Sequence, residues 1–259
     1  MSKQSLSSLF VSAVKEYALP IAVFAGFFAL WELVTIVFSI PEFILPSPSR
    51  TVEVMLANFP VIIRHSYATL EATLIGFGLS IVFGLLLGLA VGYSAIIYRA
   101  VYPLLVAFNT IPKVAIVPIL VIWFGIGKVP AVLTAFLISF FPIVVNVAVA
   151  LATIEPEIRD VLRSLGASKT QIFTKIGIPR SMPYFFGSLK VASTLAFVGA
   201  VISESVASNE GTGYLMIAAS SRFDVPLVFA GLLVISFIGI SLFLVFALLE
   251  KRLVGWAYR

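Results

Sequence analysis

Few side chains in this sequence are equipped for chemistry, and most of them stand inside apolar stretches. Lys113 follows Pro112 in the run from 100 to 125, and Asn146 lies in the run from 129 to 153. Ser203 and Glu204 close the run from 183 to 206, with Ser205, Ser208 and Asn209 crowded beside them. Glu32 follows Trp31 in the first run. A charge or amide at membrane depth is costly unless it is paired, so each is a candidate for solute contact, gating or helix-to-helix hydrogen bonding. Pro112 removes a backbone donor and is expected to break its helix. The Lys113 ammonium beside that break suits an anionic solute or an inner gate. It equally suits the carbonyls the proline frees, a group on another protomer, or lipid headgroups. Glu204, ahead of Gly211 and Gly213, suits an outer gate or a contact with an external protein, against the plainer reading of a solvated helix end. Asn146 is expected to line a pathway or join two helices. Glu32 is close enough to the outer end of its run to snorkel and act as an anchor.

Enzyme chemistry has no support. The chain has no cysteine and one histidine. That histidine, His65, is expected in an outside loop, so no span offers the base that an intramembrane serine protease needs. No G-x-x-x-x-G-K-[ST] loop is present, so the chain does not hydrolyse ATP by that route. No cofactor or metal site is expected.

The elements that must position these residues follow from composition. Of 259 residues, 61% are hydrophobic and 11% charged, with a mean hydropathy of +1.13. A soluble domain carries roughly a quarter charged residues. There is too little polar surface here to cover a globule in water, so the chain must face lipid. Six stretches reach spanning length, at about 18–40, 68–93, 100–125, 129–153, 183–206 and 227–249. All read as helices, giving an all-α polytopic membrane protein with about six transmembrane helices in one domain over 1–259. The first run is too long for a cleavable signal. With the N-terminus inside, 12 of the 17 basic residues fall inside, Lys3, Lys15, Lys190 and Arg259 among them. The positive-inside rule then places both termini in the cytoplasm. The net charge of +5 is accounted for by these loops and gives no reason to invoke nucleic acid.

Two stripes of small residues recur every four positions: Gly76, Ser80, Gly84, Gly88 and Gly92 in the second span, and Ser188, Ala192, Ala196 and Ala200 in the fifth. Such stripes let helix backbones approach closely. Static packing is the expectation for the second span; packing and pathway lining are both open for the fifth.

The inside loop at about 154–182 reads as two short helices. Pro156 suits a first helical position and Glu157 the positive helix end. Ile158, Val161, Leu162 and Leu165 form one apolar stripe. Gly166 is expected as a left-handed cap, and Ser168 with Gln171 as a capping box for a second helix. An amphipathic helix here either rests on headgroups or docks a cytoplasmic partner.

This loop resembles the E-A-A-x-x-x-G segment of permeases of binding-protein-dependent ABC importers. The matching run is Asp160-Val161-Leu162-Arg163-Ser164-Leu165-Gly166-Ala167-Ser168, with Ile178-Pro179 downstream. Asp replaces Glu, and Val-Leu replaces Ala-Ala. LPSPS at 45–49, NTIPKVAIVPILVIWFGIG at 109–127 and GTGYL at 211–215 are similar to the nitrate, sulfonate and taurine permeases. That subgroup leads one to expect an arginine where this chain has Ala72, next to Glu71. The resemblance implies a type I ABC importer permease fold in a bacterial inner membrane. It implies a homodimer of permease chains, cytoplasmic ATPase subunits that bind the ATP, and a periplasmic substrate-binding protein. Asp160, Val161, Leu162, Leu165, Gly166, Ala167, Ser168 and Pro179 would then form the ATPase-coupling surface. The implied cargo is an oxyanion such as nitrate, a sulfonate or taurine, with a vitamin or pyrimidine precursor as the alternative. A self-contained secondary carrier is the alternative of another class, but neither inverted halves nor a mid-membrane carboxylate pair is evident in the sequence.

The charge count makes a direct prediction. In intact cells, a cysteine replacing Ser168 should resist an impermeant thiol reagent, and one replacing Ser208 should react. The reverse pattern would overturn the orientation.

Overall fold

Pro112 decides the shape of the third apolar stretch. The residue before a proline is driven out of helical geometry, and Ile111 is extended, at φ −65° and ψ 123°. In the computed structural model, which describes residues 6–153 and 155–258, the chain turns by 83° at this point. Lys3, Ile154 and Arg259 lie outside the described residues, as does the side chain of Lys15. The expected third span is therefore two helices rather than one straight rod. The second of them has 12 residues, about 18 Å of rise, too short to cross a hydrocarbon core of about 30 Å.

In chain order the helices are α1 (Leu6–Val37), α2 (Pro48–Ala57), α3 (Phe59–Gly92), α4 (Ala95–Thr110), α5 (Lys113–Phe124), α6 (Lys128–Ala152) and α7 (Pro156–Ser164). Then come α8 (Lys169–Ile172), a π turn (Phe173–Gly177), α9 (Ile178–Ala207), α10 (Thr212–Ser220), α11 (Val225–Val254) and a closing 3₁₀ turn (Gly255–Tyr258). Among the described residues, five helices are long and apolar enough to cross a membrane, and the bent α4–α5 pair makes a sixth if it counts as one span. The second span starts earlier than expected, at Phe59, which carries His65 onto a helix rather than a loop.

The described chain falls into two compact units, Met1–Phe59 with Ala219–Ala230, and Pro60–Ala218 with Gly231–Arg259. In the first, the LPSPS segment builds a helix start. Ser47 caps α2 by accepting the Arg50 N–H at 3.2 Å, and Pro48 takes the first helical position. Ser49 donates to the Glu32 carboxylate through its backbone N–H at 2.9 Å and its hydroxyl at 2.6 Å. Glu32 thus places an anion at the positive end of α2, a more specific job than snorkelling.

In the second unit the small-residue stripes are packing surfaces. A Cβ added at Gly84 would lie 2.9 Å from Ile143, one at Gly88 2.8 Å from Val147, and one at Gly92 2.7 Å from Leu151. Ser80 Oγ, between them, sits 2.6 Å from Ser139 Oγ and 3.0 Å from the Phe136 carbonyl. On the other side of α6, a Cβ added at Gly199 of α9 would meet Ala135 Cα at 3.0 Å. Ala192, Ala196 and Ala200 are fully buried in the same core. The fifth-span stripe therefore packs against α6.

Replacing Gly88 with leucine should force α3 off α6, because Val147 fills the space. Overpacking of this kind costs about 1–3 kcal/mol, to be read as a lower melting temperature of the purified protein. An unchanged melting temperature would contradict this packing.

Candidate functional site

The coupling segment forms as its local sequence dictates. Gly166 has φ +83°, a conformation that penalises any Cβ. Its N–H donates to Arg163 O at 2.9 Å, and the Ala167 N–H to Leu162 O at 2.9 Å, closing α7. Ser168 Oγ accepts the Gln171 N–H at 3.2 Å while Gln171 Oε1 accepts the Ser168 N–H at 2.8 Å, a complete capping box. Ile158 and Leu162 are half-buried, whereas Val161 and Leu165 are 59% and 78% exposed. The stripe thus offers two apolar side chains outward. Asp160 is exposed and only 3.9 Å from Arg163, an ion pair of little energetic weight.

The sequence leads one to expect the fifth span from about residue 183, separate from the inside loop at about 154–182. The structure instead runs helically from Lys169 to Ala207. Pro179 sits in the first turn of α9, where its missing N–H does no harm. The preceding π turn shifts the register, with the Ile178 N–H donating to Phe173 O, five residues back. α8 is therefore continuous with the helix that forms the core.

At the far end of α9 a buried polar cluster surrounds Glu204. Ser203 and Glu204 are 1% and 4% exposed, so neither is a solvated helix end. Glu204 Oε2 accepts the Gly213 N–H at 3.0 Å and lies 2.9 Å from Thr69 Oγ1 of α3. Thr69 Oγ1 in turn accepts the Thr212 N–H at 2.7 Å, which leaves its proton for the carboxylate. His65 Nδ1 accepts the Gly211 N–H at 3.1 Å. Gly211 has φ +100°, and a Cβ there would fall onto the Glu204 carboxylate. One at Gly213 would strike the Val201 carbonyl. The GTGYL turn is thus folded around Glu204, and both of its glycines are required by space. The Ser203 hydroxyl has no hydrogen-bond partner among the described residues. Sequence reading singled out Glu204 but missed Thr69 and His65, because their partners are 135 and 146 residues away.

Lys113 reaches back over the break. Its Nζ donates to Phe108 O at 2.8 Å, Asn109 O at 3.0 Å and Ile111 O at 2.9 Å, using all three protons on carbonyls at the end of α4. A cation at a helix C-terminus is favourable there. In this geometry Lys113 holds the corner between α4 and α5. Glu71, beside the position where an arginine was expected, forms an ion pair with Lys128 at the start of α6.

Asn146 donates Nδ2 to Pro142 O at 2.8 Å and lines a cavity of about 980 Å³ formed by α6, α9 and α11. Within it lies a pair that the sequence did not reveal. Lys190 of α9 is ion-paired with Glu250 of α11, with side chains 26% and 10% exposed. Lys190 inside the fifth apolar run was the available signal. Its partner lay beyond the expected end of the sixth span, which the structure extends to Val254.

The arrangement is that of a polytopic helical protein with a short amphipathic helix ahead of its core, and its relatives give the class. The chain belongs to the family of binding-protein-dependent transport system inner membrane components, which it matches over residues 80–255. It is thus a multi-pass permease component and not itself an enzyme.

The particular relatives are informative. The chain is 36% identical to the formylaminopyrimidine transport permease protein of Halalkalibacterium halodurans, covering 92% of this chain and 95% of that one. It is 34% identical to the riboflavin transport system permease protein of Chloroflexus aurantiacus, covering 87% and 85%. It is 25% identical to the taurine transport system permease protein of Escherichia coli, covering 93% and 90%. The fold matches a chain of the MetNI methionine ABC transporter, described in inward-facing conformations. The TM-score is 0.62 at 18% identity, covering 75% of this chain and 96% of that one. The fold is therefore that of a type I ABC importer permease.

The Glu204 cluster is testable. Thr69→Val should strand the buried Thr212 N–H, a loss of about 1–3 kcal/mol. Gly211→Ala should be worse, since it adds an unfavourable backbone conformation to a steric clash. Thermal melting of both variants checks the order, and equal stability with the parent would remove the cluster's structural role.

Proposed function

We propose that this chain is the transmembrane permease of an ATP-driven importer, working as one permease domain in a homodimer. Two cytoplasmic ATPase subunits bind the ATP and dock on the segment from Asp160 to Ser168, and an external substrate-binding protein delivers the solute. Both termini lie in the cytoplasm. The observation that carries this reading is the Gly166 cap and Ser168 capping box. The Gly166 cap ends α7 with Val161 and Leu165 outward, and the Ser168 box opens the helical run, Lys169–Ala207, that becomes α9. A docked partner can fill its groove with those two side chains and move the core helix through them. Pro179, in the first turn of α9, stands where that push enters the core. At the other end, Glu204 holds the GTGYL segment in place, with buried Ser203 beside it, as part of an outer gate, and Asn146 lines the solute's inner cavity. Lys113 serves the pathway indirectly, by fixing the α4–α5 corner.

Two of the relatives above 30% identity are named for a pyrimidine derivative and for riboflavin. This supports a nitrogen heterocycle as cargo ahead of the oxyanions implied by the resemblance to taurine-type permeases.

Gly166→Val tests the coupling surface. A β-branched residue in a left-handed conformation costs at least about 1–2 kcal/mol and should misplace α8. The variant should insert normally but retain several-fold less ATPase subunit on co-purification. Undiminished co-purification with normal transport would sink the assignment.

A further inference from the structure

The Lys190–Glu250 pair is the chief unexplained feature of the larger unit. Lys190 lies about 25 Å along the helix axis from Ala207, toward the inner end of the apolar stretch from 183 to 206, where ionisable groups are rare. Gly187, one turn earlier on α9, lies beside the pair: a Cβ there would stand at an ordinary contact distance of 3.8 Å from Glu250 Oε1. Both side chains border the cavity, and Lys190 keeps a quarter of its surface open. The wall of this cavity begins in the coupling segment itself, at Lys175 and Pro179, so any movement of that segment reshapes it.

The chemistry of the cavity discriminates between solutes. Its volume of about 980 Å³ is at the upper end of small-molecule sites and far exceeds what nitrate requires. Tyr184 and Trp256 present partly exposed rings to it, and Pro142 and Pro183 add flat apolar faces. Lys190 is already neutralised by Glu250, so an oxyanion must displace a largely buried carboxylate to reach the ammonium. A neutral ring with a donor next to an acceptor can hydrogen-bond to both members without separating them.

We propose that this cavity is the inner station of the transported solute, and that the Lys190–Glu250 pair selects there a neutral, planar, hydrogen-bonding heterocycle of the pyrimidine type over an oxyanion. The proposal rests on the permease reading above.

The test is equilibrium dialysis of labelled formylaminopyrimidine, taurine and nitrate against the purified permease–ATPase complex in phosphatidylcholine nanodiscs. The parent complex should bind formylaminopyrimidine saturably, and taurine and nitrate at least tenfold more weakly. Glu250→Gln uncovers the ammonium. It should lose formylaminopyrimidine binding tenfold or more while gaining binding of taurine or nitrate, a gain that misfolding cannot produce. The neutral double variant, Lys190→Gln with Glu250→Gln, should lose the heterocycle without gaining the anions. The inference is overturned if the parent binds taurine or nitrate as tightly as the heterocycle. It is overturned equally if Glu250→Gln gains no anion binding. Retention of phosphatidylglycerol by the cavity, with no solute bound, would assign it to lipid and also overturn the inference. If the binding protein stimulates the complex's ATPase and no solute binds, the inference alone fails. If no ATPase subunit co-purifies, the permease reading fails and the inference with it.

Discussion

The closeness with which α3 and α9 approach α6 sets the rest of the larger unit. Within a bilayer there is no hydrophobic gain in moving an apolar helix from lipid to another apolar helix, so packing contacts and interhelical hydrogen bonds must hold the bundle. Both are concentrated on this seam. Glycines of α3 lie against Ile143, Val147 and Leu151, Gly199 lies against the Ala135 backbone, and the Ser80 and Ser139 hydroxyls meet between the helices. With α3 and α9 both packed on α6, α9 has the 154–182 segment at one end and the Glu204 cluster at the other. Through the π turn it is continuous with α8, so the helical run reaches from Lys169 to Ala207.

The polar groups divide according to what they hold. Glu32 and Lys113 each satisfy backbone groups at helix ends: Glu32 the N–H of Ser49 in the first turn of α2, Lys113 the carbonyls that close α4. Glu204 satisfies the Gly213 N–H in the first turn of α10, at a cost in buried polarity that this N–H and the Thr69 hydroxyl offset. Lys190 and Glu250 differ from these. They pair across two helices at the wall of a cavity, and solute contact is the reading that uses them.

Much of this was legible in the sequence where the determining interactions are local. The Gly166 cap, the Ser168–Gln171 box and the break at Pro112 each depend on residues within one or two turns, and each formed as the spacing predicts. The continuity of the helix past Pro179 was not legible, because the π turn that absorbs the proline has no sequence signature of its own. The angle at Pro112 was equally hidden, since a proline dictates a break but not a direction. His65, Thr69 and Glu250 escaped notice because their partners are distant in the chain. Glycine spacing announced that helices would meet closely. Only the three-dimensional arrangement assigned the glycine stripe of α3 to α6.

The central claim is that this chain moves its solute only as part of an ATP-driven assembly. Proteoliposomes containing the permease alone, or the permease with its ATPase subunits and binding protein, can be compared for uptake of a labelled solute carried by that binding protein. The account predicts uptake only when all the components and ATP are present, with no response of the permease alone to an imposed proton or sodium gradient. Gradient-driven uptake by the permease alone would make it a secondary carrier and contradict the account.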